Sequence, residues 1–129
     1  MAAPPKWLTY EQVVAIHSRQ LRRFGGSAGL RDDGLLRSAL ERPANKWHYE
    51  QAELPLLAAA YAFGLAKNHP FVDGNKRIAF MTMMIFLRRN GIRFAPDQAH
   101  ATKIMLALAA GEVSEESLAR WIRDNWPKA

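Results

Sequence analysis

Residues 54–91 read LPLLAAAYAFGLAKNHPFVDGNKRIAFMTMMIFLRRNG, and the fold turns on them. From Leu56 to Ala66 every side of a helix would be apolar, which predicts a helix buried within a bundle. It starts near Leu54, where Pro55 is acceptable because a first-turn N–H has no intrahelical partner. Pro70 and Gly74 interrupt the pattern. A second helix, again apolar nearly all round, is expected from about Asn75 to Asn90, and Gly91 is its stop. Arg88 and Arg89 sit in its last turn, where positive charge meets the negative end of the helix dipole. Two helices this apolar need others to cover them.

The flanking sequence supplies the cover. Thr9 followed by Gln12 is a capping-box pattern opening a helix. Tyr10, Val13, Val14, His17, Leu21 and Phe24 then recur at spacings of three and four, until Gly25-Gly26. Asp32 or Asp33 caps a further helix through Glu41, which Pro43 is expected to stop. Ile92 to Phe94 reads as a short extended piece, and Asp97 to Ala110 as a helix closed by Gly111. Ser114 caps the last helix, with Glu115 and Glu116 early, Arg120 and Arg123 late, and Leu118, Trp121 and Ile122 inward. No stretch alternates like a strand. The expectation is an all-α bundle of about six helices in one domain over 1–129, preceded by an extended arm over 1–7.

Composition narrows the chemistry. A chain of 129 residues suits one domain and buries enough surface to need no disulfide or metal staple. With no cysteine there is no disulfide framework, zinc ribbon or thiol nucleophile. The longest strongly apolar run, Ile78 to Leu87, is half of the ~20 residues a membrane span needs, and the N-terminus has no signal-peptide core. No membrane partner is expected, and the cytoplasm is the expected location. The net charge of +6 welcomes anions, but its basic residues form no block, so direct nucleic-acid binding is a weak expectation.

The residues that carry chemistry join the two apolar helices: Asn68-His69-Pro70-Phe71-Val72-Asp73-Gly74-Asn75-Lys76-Arg77. Packing on both sides should fix this loop. Gly74 and Asn75 open a helix, where unpaired N–H groups and the dipole make an anion site, and glycine allows a phosphate close approach. His69, with an intrinsic pKa near ~6.5, can take a proton from a hydroxyl. Asp73 is a hard oxygen ligand suited to Mg²⁺. Asn75 can donate to a phosphate, and Lys76 and Arg77 can neutralise charge on a transferring group. Together they suggest transfer of a phosphate-containing group to a hydroxyl.

The run from His69 to Arg77 resembles the active-site motif of the Fic/Doc (Fido) superfamily, and the whole chain is similar to its Doc branch. The likeness extends to Phe24-Gly25-Gly26, Gly29-Leu30-Arg31-Asp32, Gly34-Leu35-Leu36, Phe86 to Gly91, and Gly111-Glu112-Val113-Ser114. The resemblance implies a Fic/Doc-type helical bundle, His69 as general base and Asp73 as the Mg²⁺-associated carboxylate. It makes Gly74, Asn75, Lys76 and Arg77 the ATP-phosphate binders and Phe71 the anchor of the loop. AMP-transferring members carry a second glycine where this chain has Lys76; Doc members carry lysine. That implies a kinase that moves the ATP γ-phosphate onto a protein, elongation factor Tu, as the toxin of a toxin–antitoxin pair. Pro70 and Gly74 are as in the AMP transferases, so AMP transfer is the alternative. No Ser/Thr-x-x-x-Glu-Gly/Asn self-inhibitory segment is present, which implies a separate antitoxin with an acidic or amphipathic tail.

Plainer roles stand beside these. His17 lies on an apolar face and reads as a satisfied core histidine. Arg19, Arg22 and Arg23 read as a solvated face, with Arg23, beside the family-like Phe24-Gly25-Gly26, the candidate contact for substrate or antitoxin. His48 and His100 have no ligand pattern, and Met81, Met83 and Met84 read as core filling. A non-catalytic nucleic-acid-binding module is the third reading.

Overall fold

The computed structural model describes residues 3–128; Met1 and Ala2 of the expected arm, and Ala129, lie outside the described residues. Six helices follow in order: α1 (Tyr10–Phe24), α2 (Asp33–Glu50), α3 (Leu54–Asn68), α4 (Asn75–Arg89), α5 (Gln98–Ala109) and α6 (Glu115–Asp124). Among the described residues the only extended pairing is a single bridge between Leu30 and Phe71. The all-α expectation holds.

Helix α3 is the central element and packs most extensively on α2 and α4, then on α6. Its run from Leu57 to Ala62, with Leu65 and Ala66, is buried, and Ile78, Ala79, Met83, Phe86 and Leu87 of α4 meet it. Small residues let the helices approach closely. A Cβ on Gly64 would lie 3.2 Å from the Ala39 Cα, so α2 and α3 cross almost backbone to backbone there. From Ala3 to Thr9 the chain is without helix, but it does not trail free. Trp7 stacks on Phe86, the Leu8 N–H donates to the Tyr61 hydroxyl at 3.0 Å, and Asn90 brackets the Lys6 backbone with two hydrogen bonds.

Thr9 with Gln12, Asp32 and Ser114 cap their helices as the sequence suggests, and Asp97, read as the first residue of its helix, is instead the cap of α5; each accepts a first-turn N–H. One expectation is corrected. Pro43 does not stop α2, which continues to Glu50 with Pro43 buried inside it. The apolar face Leu36, Ala39, Leu40, Pro43 and Trp47 continues through the proline at helical spacing, and the whole of it packs inward. Charge also holds the helix on both sides of Pro43. The buried Glu115 at the start of α6 accepts two bonds from Arg42 (2.7 and 3.2 Å) and pairs with Lys46 at 3.0 Å. Packing and this clamp outweigh one missing helix bond.

Candidate active site

The loop between α3 and α4 is built from the backbone outward. Helix α3 ends at His69, which adopts a left-handed conformation (φ 47°, ψ 55°) while its N–H still bonds to the Leu65 carbonyl. A non-glycine residue with positive φ is uncommon and must be over-determined by its surroundings. Here the segment before α2 does that. Arg31 donates from Nε to the His69 carbonyl (2.6 Å) and from Nη2 to the Asn68 carbonyl (2.8 Å). The N–H groups of Arg31 and Asp32 both donate to the Pro70 carbonyl, and the Val72 N–H donates to the Gly29 carbonyl. The His69 side chain is left exposed.

Phe71 is 3% exposed and stacks beneath His17, ring centroids 3.7 Å apart and 11° from parallel. The buried His17 also donates from Nε2 to the Asp73 carbonyl at 2.7 Å. A core histidine is what the sequence suggested; its service to the loop is new. The Asp73 carboxylate accepts the N–H of Ser27 (3.1 Å) and of Gly74 (2.8 Å). These two donors first, then Arg77 and His17, hold the Asp73 carboxyl below its usual range. Gly26 makes room for it, since a Cβ there would stand 2.8 Å from Asp73 Oδ2, and its φ of 122° also favours glycine.

The Asn75 carboxamide is spent inside the loop. Its Oδ1 accepts the Phe71 N–H at 3.0 Å and its Nδ2 donates to the Phe71 carbonyl at 2.9 Å. In this arrangement it locks the loop to α4, and what Asn75 leaves facing outward is its backbone N–H. Gly74, at φ 78°, is the N-cap of α4 and offers no side-chain cap. The N–H groups of Asn75, Lys76 and Arg77 have no acceptor among the described residues. They are the unpaired donors an anion takes.

His69, Asp73, Gly74, Asn75, Lys76 and Arg77 line one cleft of about 830 Å³, within the usual size range of ligand sites. Its far wall is apolar and comes from α4 and α5 through Phe80, Ala101, Met105 and Leu106, with Gln98 and Thr102 beside them. Arg77 lies over the Phe24 ring at 4.4 Å and Arg23 over the same ring at 5.4 Å. Arg23 thus stands behind Phe24 at the rim rather than in the lining. Asp73 is the one carboxylate in the lining, and each of its oxygens accepts one N–H and keeps a further lone pair. One carboxylate fits Mg²⁺ shared with substrate phosphates, as that ion prefers, better than an all-protein metal cage. The sequence did not single out Ser27, Arg31 or Gly26 as support for the loop; the family-like spelling of residues 24–26 and 29–32 was the signal for Gly26 and Arg31, and nothing pointed to Ser27.

Residues 7–87 match the sequence profile of the Fic/DOC family. A relative from Escherichia phage P1, named Protein kinase doc, is 32% identical over 114 residues, 88% of this chain and 90% of its own length. Another, Toxin Doc from Mycolicibacterium smegmatis, is 43% identical over 76 residues, covering 57% of this chain and 58% of that protein. With nearly its whole length aligned to one Doc protein and the motif loop inside the matched span, the chain belongs to the Doc branch of the Fic/DOC family.

Proposed function

We propose that this protein is a Doc-type toxin that transfers the γ-phosphate of ATP to a hydroxyl of a target protein, elongation factor Tu, and so blocks translation. The observation that carries the proposal is the cleft itself: an exposed imidazole, His69, faces an anion cradle of bare N–H groups with Lys76 and Arg77 beside it. The names of these relatives, a protein kinase and a toxin, point the same way.

In this reading His69 takes the proton of the acceptor hydroxyl, whose oxygen bonds to the γ-phosphorus. The bond to the bridging oxygen breaks, and its electron pair leaves with ADP. The N–H groups of Asn75, Lys76 and Arg77 hold the phosphates, and the two side-chain cations offset charge growing on the transferred group. Asp73 would hold Mg²⁺, which supplies charge neutralisation across the phosphates when bound. The Arg31 bonds fix the angle at which His69 meets the cleft. In the cell the enzyme works in the cytoplasm, opposed by an antitoxin whose acidic or amphipathic tail covers the cleft.

AMP transfer is the second reading, favoured by Gly74. Yet the positive φ of Gly74, 78°, gives that glycine a structural reason of its own. Lys76 is therefore the more telling position. Incubation with Mg²⁺ and elongation factor Tu decides the matter. Label from γ-labelled ATP should reach the factor, and His69→Ala should abolish it. Label arriving from the α-phosphate instead would reject kinase chemistry.

A further inference from the structure

The peptide unit between Asp73 and Gly74 is held at both ends. Its carbonyl accepts from Nε2 of the buried His17 at 2.7 Å, and its N–H donates to Asp73 Oδ1 at 2.8 Å. A carbonyl has no proton to give, so His17 Nε2 carries the hydrogen and is the donor. The imidazole is not free to turn away, because it stacks on Phe71 with ring centroids 3.7 Å apart. Phe71 is fixed in turn by the Asn75 carboxamide, which engages both its N–H and its carbonyl. Arg77 lies four positions after Asp73, the spacing at which a helical N–H meets a carbonyl. The Arg77 N–H nevertheless has no acceptor among the described residues, whereas that of Ile78 bonds to the Gly74 carbonyl at 2.9 Å.

We infer that His17 is a positioning residue for the phosphate cradle: by engaging the Asp73 carbonyl from α1, it keeps the Arg77 N–H free for a phosphate. The inference deepens the phosphoryl-transfer reading above and rests on it for the identity of the anion. His17 does not line the cleft, so it acts through the loop and not on a ligand. Gly74 is the reason a hold is needed. Its φ of 78° suits glycine, but glycine is as free at the opposite sign, so rotation of this one peptide plane is open to the chain. Once rotated, the Asp73 carbonyl leaves His17 and becomes available to the Arg77 N–H. It would then cap that donor and set a partial negative charge beside the phosphates. Either effect weakens an anion site. The two bonds on the Asp73–Gly74 peptide oppose the rotation, and among the described residues His17 is the one donor to its carbonyl.

The test compares two side chains of similar reach in the full-length protein. His17→Gln keeps an N–H donor where Nε2 stands, and His17→Met keeps the length without the donor; both lose the ring stacked on Phe71. His17→Met should bind ATP·Mg²⁺ roughly tenfold more weakly than His17→Gln by calorimetry, the weight of one hydrogen bond. Hydrogen exchange of the Arg77 amide, followed by NMR without nucleotide, is the second measurement. A loop that is merely loosened exchanges faster. In His17→Met the Arg77 amide should instead exchange more slowly than in the wild type, because it gains the Asp73 carbonyl. Equal ATP affinity in the two variants overturns the inference, and so does an Arg77 amide that is not slowed in His17→Met. The wild type alone gives a further check: its Arg77 amide should be unprotected until ATP is added, and protection in the free protein overturns the inference. None of these measurements depends on which phosphate is transferred, so label arriving from the α-phosphate defeats the kinase reading alone. A wild type that binds no ATP has no such cradle, and the inference falls with it.

Discussion

At the scale of single residues, the site is a loop held from below by atoms distant in sequence. Asp73 shows how. Its carboxylate joins the α1–α2 connection to the first turn of α4 through Ser27 and Gly74, and those donors favour its charged form. The folded pKa is thus depressed, so the stabilisation is present above the unfolded value near ~3.9 and is lost as pH falls through the folded one. Asp73→Asn should lower the melting temperature at pH 7, and the difference from wild type should shrink as pH falls through the depressed Asp73 pKa; a gap that does not shrink in acid would refute the lock. Gly26→Ala attacks the same contact sterically. With a Cβ 2.8 Å from Asp73 Oδ2 at a φ of 122°, it should cost about 1–3 kcal/mol in urea unfolding and weaken ATP binding. The motif from His69 to Arg77 was legible in the sequence because its chemistry is contiguous. His17, Gly26, Ser27 and Arg31 were not legible as its supports, since each meets the loop across 38 to 56 positions. Asn75 looked like a phosphate donor because nothing in a sequence tells where an amide will find its partners.

At the scale of elements, all six helices were readable from caps and apolar spacing, and the one miss is instructive. Pro43 removes a donor and crowds the preceding turn, a local rule that predicts an end to α2. The rule was overruled by partners far along the chain, the α3 surface and Glu115, which hold the helix on both sides of the proline. Removing that hold should be costly. Glu115→Gln leaves Arg42 and Lys46 without their shared charge and should destabilise by about 1–3 kcal/mol, measured by urea unfolding. The α2–α3 crossing is the other sensitive place. Gly64→Ala sets a methyl 3.2–3.3 Å from the backbone and Cβ of Ala39, so the helices must part by a few tenths of an ångström. A loss of about 1–3 kcal/mol is expected, and because α3 ends at His69, activity should fall beyond what the lost stability explains.

At the scale of the molecule, the +6 charge and the exposed apolar side chains have to be read together. Phe24, Val72 and Leu106 are each more than half exposed, and all three rim the first cleft beside Arg77. Large apolar groups around a cationic pocket are a poor surface to leave in water and a good one for an amphipathic, acidic segment. A nucleic-acid duplex would use the charge through its phosphates but not Phe24 or Leu106. The antitoxin tail proposed above matches both features, and it would occupy the space ATP needs. Its binding should therefore weaken as salt rises, because Arg23 and Arg77 contribute, yet a residue of affinity should survive at 1 M salt through the apolar contacts. Phe24→Ala should remove most of that residue and should also loosen Arg77, whose guanidinium rests on the ring at 4.4 Å. Calorimetric titration of the antitoxin tail, with and without ATP, separates these effects. Competition between the two ligands is the expected result, and simultaneous binding without mutual effect would place the antitoxin elsewhere on the bundle.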